Sequence, residues 1–426
     1  MSLEFSTIAL NDIVSLVIDY RGKTPKKLGS DWSESGIRAL SAKNIKTGQI
    51  IREDAIRYVD TELYYKWMKD EIKRNDILIT SEAPFGEVFF WDSDEKIVLS
   101  QRLFGVRCDE NKVDPKFIYF YMTSEMFQWE LQSRATGTTV KGLRQPELLK
   151  CEIQLPNRVN QRKISYILSN IENKINVLKE LNKNLEQLSQ NLFKKWFIDF
   201  DLKNDFNIFE SFKESSLGKI PESWEIKTIG DLSEVKGRIG WRGYTTNDLV
   251  DDGPWVVGGK EITSGFIDFN SAKHLTREKY EESPEIMLKD KDLIIAKTGT
   301  IGPIAMYYDV YGEATLNPNV GLIRSKNIVP ALLLTFFKTQ RAQYYLNEFT
   351  TSSVQPAINQ TTIKQLEIAL PSDEELLNTI GCKFDEINLL QFNLNEEIKK
   401  LQKLRDTLLP KLMSGEIDVS KINCDK

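Results

Sequence analysis

The sequence predicts an α+β protein: two homologous mixed α/β domains separated by two long helices that form an antiparallel coiled coil. Three observations predict it. The chain repeats itself at an offset of 215 to 217 residues. Short β-branched runs bounded by Gly, Pro and Asp fill each globular half. A heptad-spaced apolar seam follows each half directly.

The repeat is legible residue by residue. Gly36, Lys43, Asn44 and Gly48 match Gly253, Lys260, Glu261 and Gly265 at an offset of 217. Asp76 matches Asp292 at 216, Arg107 matches Arg324 at 217, and Leu155-Pro156 matches Leu370-Pro371 at 215. A drift this small is the mark of a duplicated unit with short loop insertions. A period above 200 residues is too long for a solenoid, so each copy is a whole domain with its appendage.

Within each copy, the runs at 76–80, 97–99, 292–296 and 320–323 read as strands. Residues 115–131 and 330–345 carry apolar side chains at helical spacing. In the first appendage Ile164, Leu168, Ile171, Ile175, Leu178, Leu185 and Leu192 follow the 4,3 spacing of a coiled-coil seam, interrupted by Asn182 and Ser189. In the second, Ile380, Phe384, Ile387, Leu394, Ile398, Leu401 and Leu408 do the same, interrupted by Gln391 and Arg405. Pro156 and Pro371 precede the two helices, and Pro410 with Gly415 predicts the end of the second. The expected organisation is therefore domain one at 1–157, helix one at 158–200, a flexible acidic linker at 201–216, domain two at 217–371, helix two at 372–413 and a tail at 414–426.

Composition bounds the class. The 426 residues carry 57 Lys+Arg against 62 Asp+Glu, a net charge of −5 with 41% apolar residues. That fits globular structure with real cores and excludes a disordered or collagen-like chain. Phosphate-binding domains are usually basic, so the overall balance argues against nucleic acid at first sight. The residues at 158–200 are the exception, with a net charge of +4. No signal peptide or membrane span is expected. Cys108, Cys151, Cys382 and Cys424 show no CxxC spacing, and His274 is the single histidine, so neither a zinc site nor a disulfide framework is expected. Reduced cysteines point to a cytoplasmic protein.

Three motifs look like catalytic machinery and fall short of it. Asn317-Pro318-Asn319-Val320 lacks the second proline and the aromatic ring that hold a flipped base in amino-methyltransferases. Thr298-Gly299-Thr300-Ile301-Gly302 lacks the Lys and hydroxyl that end a phosphate-binding loop. Gly237, Gly240 and Gly243 are spaced three apart, which is not the dinucleotide-binding pattern.

Five segments, in this order, carry a resemblance. They are Asp19-Tyr20-Arg21-Gly22-Lys23-Thr24-Pro25-Lys26-Lys27, the 191–200 segment Asn-Leu-Phe-Lys-Lys-Trp-Phe-Ile-Asp-Phe, and Leu217-Gly218-Lys219-Ile220-Pro221 running on to Trp224. Then come Gly237-Arg238-Ile239-Gly240-Trp241-Arg242-Gly243-Tyr244 and Leu409-Pro410-Lys411-Leu412-Met413-Ser414-Gly415. With the duplication, they make the chain similar over nearly its whole length to the specificity (S) subunit of type I restriction–modification systems. The Pro-Pro-x-x-Glu-Gln motif often found there survives only as fragments at Gln161 and Glu374-Glu375.

The resemblance implies two target recognition domains, each reading one half of a bipartite target in double-stranded DNA. It implies helices that set the gap and bind two modification (methyltransferase) subunits, with two restriction (translocase/nuclease) subunits added for cleavage. It implies no catalytic site, no bound cofactor and no metal in this chain, and S-adenosylmethionine in the partner methyltransferase. A seam of about 28 residues spans roughly 42 Å at 1.5 Å per residue, on the order of 12 base pairs of B-DNA. The alternative from another class is a coiled-coil scaffold with two protein-binding domains.

Sequence reading needs polar side chains at groove edges and cations or amides on phosphates. In the first copy the DNA-binding candidates are Arg21, Lys23, Lys26 and Lys27 in one basic loop, the repeat-matched Lys43, and Thr138, Lys141, Arg144 and Gln145 in a polar loop. In the second they are Arg238, Trp241, Arg242 and Tyr244, the matched Lys260, Lys297, Thr298 and Thr300 after a strand, and Gln355, Asn359 and Gln360 in an uncharged polar stretch.

Overall fold

A computed structural model describes residues 5–137, 141–206, 208, 211–238, 243–263, 265–349, 356–420 and 422. The chain forms two compact units, Met1–Val177 with Ile398–Lys426, and Leu178–Glu397. Each unit thus contains one globular copy and half of each long helix.

The first unit is built on an antiparallel four-stranded sheet in the order Val14–Asp19, Leu103–Cys108, Asp76–Thr80, Val88–Trp91. A three-stranded sheet lies beside it, with Ile37–Leu40 antiparallel to Arg57–Val59 and parallel to Ile97–Leu99. The second unit repeats both. Its four strands are Ser233–Lys236, Val320–Ser325, Leu293–Ala296 and Ile304–Met306. Its three-stranded sheet has Leu249–Val257 between Lys273–Leu275 and Ala314–Leu316. The sequence repeat is therefore a strand-for-strand repeat.

The central strands explain why the pattern was readable. Ile77, Leu78 and Ile79 are all fully buried, so this strand reads as a continuous apolar run rather than an alternation. Asp76, at its start, is 1% exposed and is held by Arg107 through two hydrogen bonds of 2.8 and 2.7 Å. Asp292 and Arg324 make the same pair in the second unit. A buried carboxylate is tolerated only when paired in this way.

Four expectations change. Each predicted helix at 115–131 and 330–345 is two helices, Pro115–Thr123 then Glu125–Ser133, and Pro330–Phe337 then Gln340–Glu348. Ser124 and Thr339 take extended backbone angles, and their hydroxyls cap the following helix by accepting from Phe127 N and Ala342 N. The second long helix does not stop at Pro410 but runs Glu374–Met413. An internal proline costs about 3 kcal/mol, while burying Leu412 and Met413 in the first unit's core returns roughly 1.5 to 3 kcal/mol each. Gly415, at φ 77°, follows the true end.

The 201–216 segment is not simply a flexible linker. Lys203–Phe206 is a helical turn, Phe212–Ser215 pairs with Gly218–Pro221, and Leu202 is buried. Within the tail Val419 is fully buried, and Lys163 Nζ donates to Ser420 O at 2.6 Å.

The long helices, Arg158–Phe193 and Glu374–Met413, run antiparallel within each unit. In the first, Ile164 and Leu168 share a core with Leu408 and Leu412, and Glu172 meets Arg405. In the second, Gln391 Nε2 donates to Asn182 O at 3.4 Å, and Phe193 lies edge-on to Phe384. Trp196, in the turn that closes the first helix, is a packing residue: it is buried against Phe384, and its indole N–H donates to Asp205 at 2.8 Å. No helix among the described residues is long and apolar enough to cross a membrane.

Candidate nucleic-acid interface

In each unit three loops meet at one end of the four-stranded sheet. In the first unit they follow strand Val14–Asp19, follow strand Asp76–Thr80, and precede the short helix Gln145–Leu149. Leu143 N donates to Ser81 O at 2.9 Å, and Thr136 and Gly142 exchange backbone hydrogen bonds of 2.9 and 2.8 Å. The second unit joins its loops equivalently. Ile358 N donates to Lys297 O at 2.9 Å, Gly299 N donates to Pro356 O at 3.0 Å, and Thr298 bridges Ala357. Segments far apart in the sequence are thereby brought together twice.

Several of the candidate residues also make hydrogen bonds that build these loops. Arg21 donates from Nε and Nη2 to the Asp19 carboxylate (both 2.9 Å) and from Nη1 to Leu143 O (3.0 Å), with its guanidinium 4.0 Å above the Phe104 ring. Arg238 is buried and donates to Leu316 O at 2.8 Å and Thr315 Oγ1 at 3.1 Å. Its burial pulls its pKa down. Asn359 caps helix Gln360–Gln365 by accepting from Thr362 N at 2.8 Å. Gln360 latches the first loop of its unit, donating to Val235 O (3.1 Å) and accepting from Gly237 N (3.2 Å). Lys27 Nζ donates to Gly22 O at 2.7 Å, and Tyr244 accepts from Asn317 Nδ2 at 2.8 Å. Arg21, Arg238, Asn359 and Gln360 thus each have a partner within their own unit, and only Arg238 among them is buried.

The other candidates keep a free face. Lys26, Lys141, Arg144 and Thr300 are exposed, and Gln145 is half-buried at the start of its helix. Lys43 and Lys260 are exposed on matching turns, Ala42–Asn44 and Gly259–Glu261. Each turn is held by a buried polar residue at the same repeat position. Asn44 Oδ1 accepts from Ser41 N (3.1 Å), and Glu261 Oε2 accepts from Gly258 N (2.9 Å). Lys297 crosses the sheet end beside Gly237 and Gly321, where an added Cβ would meet its Nζ at 3.0 Å and its Cδ at 3.2 Å respectively. Burial lowers its pKa. Thr138, Trp241, Arg242 and Gln355 lie outside the described residues.

The first unit also forms a cleft of 470 Å³ at these loops. It brings Lys23 and Lys43 together with Arg52, Arg57, Gln101 and Arg102, which the sequence reading missed. Lys23 Nζ donates to Trp67 O at 2.8 Å, and its pKa is lowered first by burial and then by Lys69. The missed residues carry no identical match in the repeat, and their approach to Lys23 depends on tertiary folding.

The family model described as the type I restriction modification DNA specificity domain matches twice, at residues 3–187 and 221–401. The chain is 21% identical over 430 residues to the type I restriction enzyme MjaVIII specificity subunit of Methanocaldococcus jannaschii, covering 99% of this chain and 94% of that one. It is 22% identical over 415 residues to the type I restriction enzyme HindI specificity subunit of Haemophilus influenzae, covering 82% and 88%. The solved S subunit of a type I restriction–modification system from M. genitalium is alike in fold, with a TM-score of 0.59 over 96% of each chain at 14% identity.

Proposed function

This chain belongs to the family of the type I restriction modification DNA specificity domain, which it carries twice, and on that premise we propose that it is the sequence-reading subunit of a type I restriction–modification complex. Each unit reads one half of a bipartite target in double-stranded DNA. The observation that carries this reading is the three-loop junction built twice on the same sheet framework, each with exposed cations at its edge. Two such surfaces on one chain suit a target split into two halves.

In this reading the chain is not itself an enzyme. Two modification subunits dock on the long helices, hold S-adenosylmethionine and methylate adenine, and two restriction subunits join for cleavage. This chain binds no cofactor and works in the cytoplasm, where the DNA is. The polar seam residues Asn182, Gln391 and Arg405 favour one helix register, and hence one gap between half-sites.

The test is co-expression with the modification subunit followed by methylome sequencing. The expected result is a two-part motif with an unspecified gap and methylated adenine in its halves. A genome without such a motif would overturn the proposal.

A further inference from the structure

The cleft of the first unit is a charge anomaly. In a chain of net charge −5, it is lined by Lys23, Lys43, Arg52, Arg57 and Arg102, and by no carboxylate among the described residues. Glu82 pairs with Arg102 at 2.9 Å from outside the lining. No acidic partner is found among the described residues for Lys43, Arg52 or Arg57. Arg57 is instead placed over the Trp32 ring at 5.1 Å. Arg52 is held in place by its backbone: it adopts φ 53°, and the buried Asn44 donates from Nδ2 to its carbonyl at 3.3 Å. Holding a non-glycine residue in this conformation costs of order 1 kcal/mol or more. Cations gathered without counter-ions repel one another, so the arrangement calls for an external anion.

The second unit has the same turns and strands but not the same charges. By repeat position, Lys43 and Arg57 remain cations as Lys260 and Lys273. Arg52 becomes Asp268, which instead accepts from Asn270 N at 3.1 Å. Arg102 becomes Asn319.

Resting on the DNA-reading function above, we propose that the two units grip DNA unequally. The first takes the phosphodiester backbone of its half-site into this cleft, with Arg52 and Arg57 as phosphate contacts. The second, with Asp268 and Lys273 at the matching positions, lacks this pair of arginine contacts. The first unit is the electrostatic anchor of the complex.

The test uses the chain assembled with its modification subunits, on DNA carrying the motif found by methylome sequencing, with affinity measured across a salt series. Each phosphate contact contributes roughly 0.9 to the slope of log affinity against log salt. The double variant Arg52→Gln with Arg57→Gln is expected to flatten that slope by about 1.8 and leave the methylated motif unchanged. The matched pair Asp268→Gln with Lys273→Gln should leave the slope nearly as it was. Equal flattening by both pairs, or none by the first, overturns the proposal. So does a cleft that binds inorganic phosphate while the first pair leaves DNA binding untouched. If wild-type complex shows no sequence-dependent DNA binding, the DNA-reading function itself fails instead. Unchanged thermal melts keep either result from being a folding defect.

Discussion

The carboxylate of Glu172 meets the guanidinium of Arg405 at 3.5 Å, at a seam position where the repeat gives the second unit Asn388 and Ser189. Tyr119 donates to the other carboxylate oxygen at 3.4 Å, while Ser189 shares a 3.0 Å hydrogen bond with Thr335. The duplicated helices have thus diverged from charged to neutral at one buried point.

Burial raises the pKa of Glu172, and neither Arg405 nor Tyr119 fully offsets it. A raised carboxyl pKa means that the folded state favours the protonated form. That contribution to stability is present below the ordinary glutamate pKa of about 4.3 and is lost as pH rises through the folded value. Glu172→Gln should remove this loss, so its stability relative to wild type should rise with pH over that window. Unfolding monitored at a series of pH values checks this, and a difference that stays flat with pH counts against it.

Asn182 Oδ1 is buried and has no hydrogen-bond partner among the described residues. Gln391 uses the Asn182 main-chain carbonyl, which a substitution would keep. At the matching positions the first unit has Ile175 and Ile398, both buried. Asn182→Ile should therefore stabilise the second unit by about 1 kcal/mol, since an orphaned buried polar atom costs about 1 to 3 kcal/mol. Urea unfolding would show a higher midpoint.

Gln343 Nε2 clamps the loop after strand Leu293–Ala296 by donating to Gly302 O at 3.0 Å and Phe337 O at 2.7 Å. Gly302 has φ 101°, and a Cβ there would lie 2.1 Å from Gln343 Oε1. Gly302→Ala should cost about 2 kcal/mol or more, because left-handed strain adds to a broken clamp. Gly218→Ala, at φ 90° in a hairpin with open space around it, should cost only about 1 kcal/mol. Comparing the melting temperatures of the two variants isolates the clamp, and DNA affinity should fall only for Gly302→Ala.

Adding or deleting one helical turn between Ile171 and Leu192 should change the gap in the methylated motif by a few base pairs and leave both half-site sequences intact. Methylome sequencing of the variants reads this directly. Altered half-sites with an unchanged gap would rule out the helices as spacers.

Much of the architecture was legible because duplication reports itself. Asp76 matches Asp292 and Arg107 matches Arg324 in the sequence, the fold turns those matches into the same buried ion pair twice, and the heptad seams located both helices. Local caps were misjudged where apolar spacing ran through them, as at Ser124 and Thr339. Pro410 was misread because a proline's local cost says nothing of what Leu412 and Met413 gain beyond it. Among the candidate contacts, Lys43 and Lys260 lay on matching exposed turns, whereas Arg21 and Arg238 were drawn inward by carboxylate and carbonyl partners.

The sequence by itself determined the duplication, the strand runs, the two seams and the family, because periodicity and repeat spacing are local or self-referential signals. Tertiary structure alone decided which polar residues are spent on building loops and which stay available. It also decided that Lys23, Lys43, Arg52, Arg57 and Arg102 share one cleft. Charges cooperate through distance in space, and only the folded sheets bring these residues, spread over 80 positions of the chain, within reach of one another.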